Sequence, residues 1–176
     1  MSPEFFSGWG IRTLASSETG FNPLDYQVGS VWPHDNALIA VGLKQYGHHN
    51  DFLRVFTALF EAARQFAHYR LPEVFAGTDR EGMLPPVRYP VACLPQAWAS
   101  ASLPYLLWTA LGLEPDAWNR RLDVVRPILP DWLPSVTIRG VRVGDGRADL
   151  RFERGERGVR VDVVRHDGVE VRTSQR

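Results

Sequence analysis

Cysteine is nearly missing from this 176-residue chain: Cys93 stands alone, so no internal disulfide can form and no zinc motif is present. A reducing, cytoplasmic setting is the expectation. Lysine is as scarce, with Lys44 the only one among 20 basic side chains, a bias toward arginine that by itself signals no ligand. Those 20 positive charges meet 20 negative ones, leaving no global field for nucleic acid or an anionic membrane; neither is expected as a partner. A neutral substrate is the default. No apolar run nears the roughly 20 residues of a membrane span. MSPEFFSGWG lacks the basic start and apolar core of a signal peptide, so a soluble protein is expected. A phosphate-binding glycine loop, a Gly-x-Ser-x-Gly elbow and a dinucleotide fingerprint are also absent, and no cofactor is expected. HHND, His48 to Asp51, superficially offers metal ligands. Adjacent histidines point apart on a helix and no third ligand is spaced to join them, which favours a helix cap and no metal.

What is present is 44% hydrophobic and 11% aromatic residues, enough to bury a real core. The first 32 residues, rich in Gly, Ser, Pro and aromatics, keep neither helical nor strand periodicity and read as loops. Asp35 to Tyr46 fits a helix ended by Gly47. Asn50 can cap a second, where Leu53, Phe56, Leu59, Phe60, Ala63 and Phe66 recur at helical steps. After a loop from Leu71 to about Leu94, Pro95 suits the first turn of a third helix carrying Trp98, Ser102, Tyr105, Trp108 and Thr109 on related faces. Pro104 inside it predicts a kink or a break. The tail is different in kind. Val136 and Ile138, Leu150 and Phe152, Val159 to Val163, then Val169 and Val171 alternate with charged residues, the pattern of antiparallel strands. Gly144-Asp145-Gly146 and Asp167-Gly168 supply hairpin turns, Gly155 to Gly158 a looser one, and Leu122 to Arg126 one further strand. Three apolar helices with a small sheet would not close a core alone. A partner or a further stretch of chain is expected to complete it, and SPEFFSGWG reads as a chain entered midway.

Four stretches can carry chemistry. GSVWPHDN, Gly29 to Asn36, sets Trp32, His34, Asp35 and Asn36 in one turn: an indole on which a sugar ring stacks, beside groups that bond its hydroxyls. Equally, Asp35 or Asn36 caps the helix and Trp32 staples it. SGWGIRT places Trp9 between glycines with Arg12 following, a ligand turn or an ordinary one with a surface arginine. PQAWAS brings Gln96 and Trp98 to a helix start, where Trp98 serves as core or as platform. In LPEVFAG, Glu73 is either an exposed loop residue or, packed by Leu71, Val74 and Phe75, a carboxylate at a partly dry site acting as proton acceptor. Three tryptophan-plus-polar turns at helix ends point to the rim of one cavity.

Taken in order, SPEFFSGWGIRTL, NPLDYQVGSVWPHDNALIA, LPEVFAG and YPVACLPQAWASAS resemble the C-terminal part of bacterial glycogen-debranching-enzyme-like proteins. These are amylo-alpha-1,6-glucosidase-like glycoside hydrolases related to mannosylglycerate hydrolase and the GH63 group. The resemblance extends into the tail, RPILPDWLPSVTIRGVRVGDGRADLRF. It implies a mainly α fold: the C-terminal half of an (α/α)6 barrel of the six-hairpin glycosidase type over residues 1–130, then a small antiparallel β module over 131–176. It implies an inverting glycosidase with two carboxyl groups, Glu73 matching the general base. Trp32, His34 and Asp35 match the sugar-binding wall, lined further by Trp9, Arg12, Gln96 and Trp98. The partners implied are an oligosaccharide or polysaccharide substrate and either the missing N-terminal half of the barrel or a second copy. The family's general acid, an aspartate, has no counterpart here, so the chain alone is expected to be inactive. A non-catalytic carbohydrate-binding or assembly module is the alternative.

Overall fold

Two helices come first, α1 at Pro33–Gln45 and α2 at His49–Ala63, and apolar residues recur with a helical period in α2. The computed structural model describes residues 1–82, 84–156 and 158–174. Proline suits the first position of α1, where no N–H donor is needed, and Gly47 at φ 84° turns the chain toward α2. Asp35 and Asn36 lie inside the first turn of α1 rather than capping it; Trp32 is the cap residue and makes no side-chain cap bond. Asn50 likewise falls within α2, behind His48 at the cap position. α2 buries Phe52, Val55, Phe56 and Leu59 and packs on α1. Each such side chain is worth about 1.5–3 kcal/mol of burial.

The third helix, α3, spans Ala97–Leu111, starts after Pro95 and runs through Pro104. Pro104 removes the bond to the Ser100 carbonyl, and Ser100 is exposed, so water can take that oxygen instead. The buried stripe of α3 is Ala99, Ser102, Leu106 and Ala110; Trp98, Tyr105 and Trp108 stay exposed. The expected aromatic face is thus turned outward.

These elements correct the fold class. The structure is 27% helical and 28% strand, the strands forming two small sheets, so it is neither mainly α nor half of an (α/α)6 barrel. The physical reason lies in two long stretches, before α1 and between α2 and α3. Isolated bridges join Arg12 to Val31, Val31 to Phe75, and Phe75 to Arg88, laying loops side by side where a barrel would have helices. Leu71 to Gly77 is buried throughout, so its backbone needs partners away from water. It finds them. Glu73 N–H donates to the Cys93 carbonyl at 3.0 Å, Phe75 exchanges bonds with Val31, Ala76 donates to Val87 and Gly77 to Pro23. Gly77 fits only as glycine, because a Cβ there would stand 1.7 Å from the Gly29 carbonyl oxygen.

The chain divides into two compact units, Met1–Leu106 and Leu107–Arg176. In the second, β1 (Leu113–Asp116), β2 (Arg121–Val125), β3 (Ser135–Val143), β4 (Gly146–Gly155), β5 (Gly158–Asp167) and β6 (Glu170–Ser174) form sheets ordered β1-β2-β6 and β3-β4-β5. Alternating residues from both, including Leu122, Val124, Leu150 and Phe152, close one apolar core. The β3-β4-β5 sheet is antiparallel as expected, but β6 pairs parallel to β2, so the module as a whole is not. A parallel pair needs a long crossover, which the intervening strands supply. β1 was not anticipated; Glu114, Pro115 and Asp116 are poor strand formers, tolerated at a sheet edge. Gly144 and Gly168 make the hairpin turns at φ 59° and 63°, while Arg157 of the third turn lies outside the described residues. No helix among the described residues is long and apolar enough to cross a membrane.

Candidate active site

Glu73 opens the buried loop with 8% of its surface exposed. Leu71, Val74 and Phe75 are buried on either side, which dries the position. Its Oε1 accepts a hydrogen bond from the Tyr26 hydroxyl at 3.0 Å and a longer one from Gln96 Nε2 at 3.5 Å; Oε2 accepts from the Cys93 backbone N–H at 3.2 Å. The Cys93 N–H, bonding the charged form, is the main reason the carboxyl sits below the ordinary glutamate range. Burial opposes it, and Tyr26 and Gln96 add to the lowering. Drying alone would have raised it. Partial burial, then the bond to Glu73, pushes the Tyr26 phenol up.

Across from Glu73, the first turn of α1 presents Trp32, His34 and Asp35. The Trp32 indole N–H donates to the Tyr26 carbonyl at 3.0 Å and to Ser30 Oγ at 3.1 Å, fixing the ring. His34 Nε2 lies 2.9 Å from Asp35 Oδ1, and its ring stacks on Trp98 with centroids 4.2 Å apart and planes 9° from parallel. Asn36, buried behind them, clamps Ile11 by accepting its N–H at 2.6 Å and donating to its carbonyl at 2.9 Å. That clamp holds the N-terminal loop, with Thr13, against α1.

A cavity of about 550 Å³ is lined by Thr13, Tyr26, Gln27, Trp32, His34, Asp35, Glu73 and Trp98. Of the residues singled out from sequence, the structure brings five to this wall: Trp32, His34, Asp35, Glu73 and Trp98. Gln96 stands behind it as a donor to Glu73. Arg12 lines an adjoining hollow of about 480 Å³ that shares Thr13, Trp32 and Asp35. Arg12 is 4% exposed, and its guanidinium spends its donors on the Gly77, Pro3 and Glu4 carbonyls and on Asp79. Trp9 is buried under the Arg80 guanidinium, 4.2 Å from the ring, and lines neither. Sequence reasoning passed over Tyr26, Gln27 and Thr13. Tyr26 carried a usable signal, a tyrosine in DYQVGS just ahead of the tryptophan turn, but nothing in the spacing tied it to Glu73.

The lining holds two carboxylates, two indoles, an imidazole and several neutral hydrogen-bonding groups, with no lysine or arginine among the described residues. No group of three or more His, Cys, Asp or Glu suited to a metal occurs among them. An ionised carboxylate beside indole faces is the equipment of carbohydrate hydrolysis, and residues 1–85 match the family model of the mannosylglycerate hydrolase MGH1-like glycoside hydrolase domain. This stretch is similar to a glycoside hydrolase domain. The glycosidase match takes in Trp32, His34, Asp35, Glu73 and the unanticipated Tyr26; it stops short of Gln96, Trp98 and the whole β unit. No curated protein matches the chain.

Proposed function

We propose that the Met1–Leu106 unit builds the base side of an inverting glycosidase site for an α-glucan or a related oligosaccharide, amylo-alpha-1,6-glucosidase-like in its chemistry. Glu73 takes a proton from water as the water oxygen attacks the anomeric carbon. A second carboxyl group gives its proton to the departing oxygen as the glycosidic bond breaks, the two groups standing about 6.5–9.5 Å apart in such enzymes. The observation that carries this reading is the Glu73 carboxylate itself, held ionised by Tyr26, Gln96 and the Cys93 N–H at the wall of a cavity faced by Trp32 and Trp98. Two carboxylates with no lysine or arginine in the lining suit a neutral sugar over an anionic one. Asp35, already engaged by His34, serves as an acceptor for sugar hydroxyls. Because the resemblance leaves the family's general-acid aspartate without a counterpart here, the proton donor is proposed to come from outside this chain, from a further segment or a second copy, and the chain by itself is expected to turn over no substrate. The proposed setting is cytoplasmic.

Calorimetry of the purified chain with maltooligosaccharides tests the site: binding is expected, and Trp32→Ala abolishes it. Hydrolysis of an α-glucoside by the unaided chain, lost in Glu73→Gln, would show that a complete acid–base pair is present. The exposed ring of Trp98, with 47% of its residue surface open, also fits a non-catalytic carbohydrate-binding module. Sugar affinity insensitive to Glu73→Gln, with no turnover when a donor-bearing segment is added, would favour that second reading.

A further inference from the structure

We propose that Tyr26 is the positioning residue of this site, its hydroxyl fixing the Glu73 carboxylate while its main chain fixes the Trp32 indole. One residue then sets the base and the sugar-stacking ring in a common frame. The inference rests on the reading of Glu73 as the base. It starts from an unusual concentration of bonds. The Tyr26 hydroxyl has a single hydrogen, and it lies 3.0 Å from Glu73 Oε1. The carbonyl of the same residue accepts the Trp32 indole N–H at 3.0 Å and the Ser30 hydroxyl at 2.6 Å. The phenol ring has little freedom between them. It meets the Trp32 ring edge-on, with centroids 4.7 Å apart and planes at 70°, and the Tyr89 ring at 5.5 Å.

The other ligands of Glu73 cannot substitute for Tyr26. Cys93 N–H holds Oε2, and the carboxylate can still rotate about that bond. Gln96 approaches Oε1 only to 3.5 Å, at the outer limit of a hydrogen bond, and its own oxygen is engaged by the Ala97 N–H. Tyr26 is thus the short, directional contact that selects which way Oε1 points. After the Cys93 N–H, which does most to keep the carboxyl deprotonated against burial, Tyr26 is a further donor to the ionised form.

Tyr26→Phe isolates the claim, because it removes the O–H and retains the ring and the carbonyl that Trp32 and Ser30 use. Near-ultraviolet dichroism is expected to match the parent, showing that the loop still folds. In the full chain, the carbon-13 titration of the Glu73 carboxyl is then expected to move to higher pH. Tyr89→Phe, which alters the ring packed on Tyr26 but no donor to Glu73, is expected to leave that titration where it was. An unmoved Glu73 titration in Tyr26→Phe, or an equal movement in Tyr89→Phe, overturns the proposal. A shifted titration in a chain that binds no maltooligosaccharide upholds the coupling of Tyr26 to Glu73 and overturns the glycosidase reading alone.

Discussion

Among the described residues, Met1–Leu106 buries Ser7, Arg12, Ser30, Asn36, Lys44, Glu73 and Ser102, whereas every side chain buried in Leu107–Arg176 is apolar. A polar group out of water must find a partner or cost free energy, and in the first unit most of the partners are loop backbone. Arg12 holds three carbonyls, Asn36 clamps Ile11, and Glu73 takes the Cys93 N–H. The second unit has hairpins and an alternating pattern that needs no such clamps. Polar burial thus marks where loops have been fixed in one arrangement, and the glycoside hydrolase match falls wholly within that unit. Polar clamping of loops and alternating sheet packing have been separated along the chain.

That separation can be broken by mutation. The largest effect is expected for Phe152→Ala, at the centre of the sheet core, with a loss of about 3–5 kcal/mol. Hydrogen exchange should report it in β3, β4 and β5; equal loss of protection in α1 and α2 would show that the units unfold as one. Next comes Asn36→Ala, which strands the Ile11 N–H and carbonyl and is expected to cost about 2–3 kcal/mol. Here exchange at the Ile11 amide should accelerate while the sheet stays protected. If it does not, the polar clamp is not what holds the loop. The smallest effect sharpens the contrast from the other side. Arg160→Ala removes exposed pairs with Glu153 and Asp162 and should change the denaturation midpoint by under about 1 kcal/mol.

The contrast also explains what the sequence could reveal. α2 was readable because Phe56, Leu59 and Ala63 repeat with its period, and β4 because Leu150 and Phe152 alternate with charge. Neither signal depends on anything distant. The stretch from Leu71 to Gly77 has no period at all, and its shape is set by bonds to Val31, Pro23, Val87 and Cys93 that no local pattern encodes. Such regions read as loops in the sequence, and the barrel that the resemblance implied around them is not what they build. At the site, the apolar neighbours of Glu73 were legible in LPEVFAG. The direction of its ionisation was not, since the decisive donor is a backbone N–H twenty residues away. Parallel pairing of β6 with β2 was hidden for the same reason: strand propensity says nothing about which distant edge a strand will join.

The chain of bridges from Arg12 through Val31 and Phe75 to Arg88 carries a consequence in time. Its members are far apart in sequence, and joining them requires large loops to close before any contact rewards the lost entropy. The α1–α2 hairpin needs only a short turn. Helices of the first unit are therefore expected to be in place before Glu73 meets Tyr26, and the cavity to be assembled last. A nascent chain would carry the Trp32 turn for a while with no Glu73 carboxylate beside it.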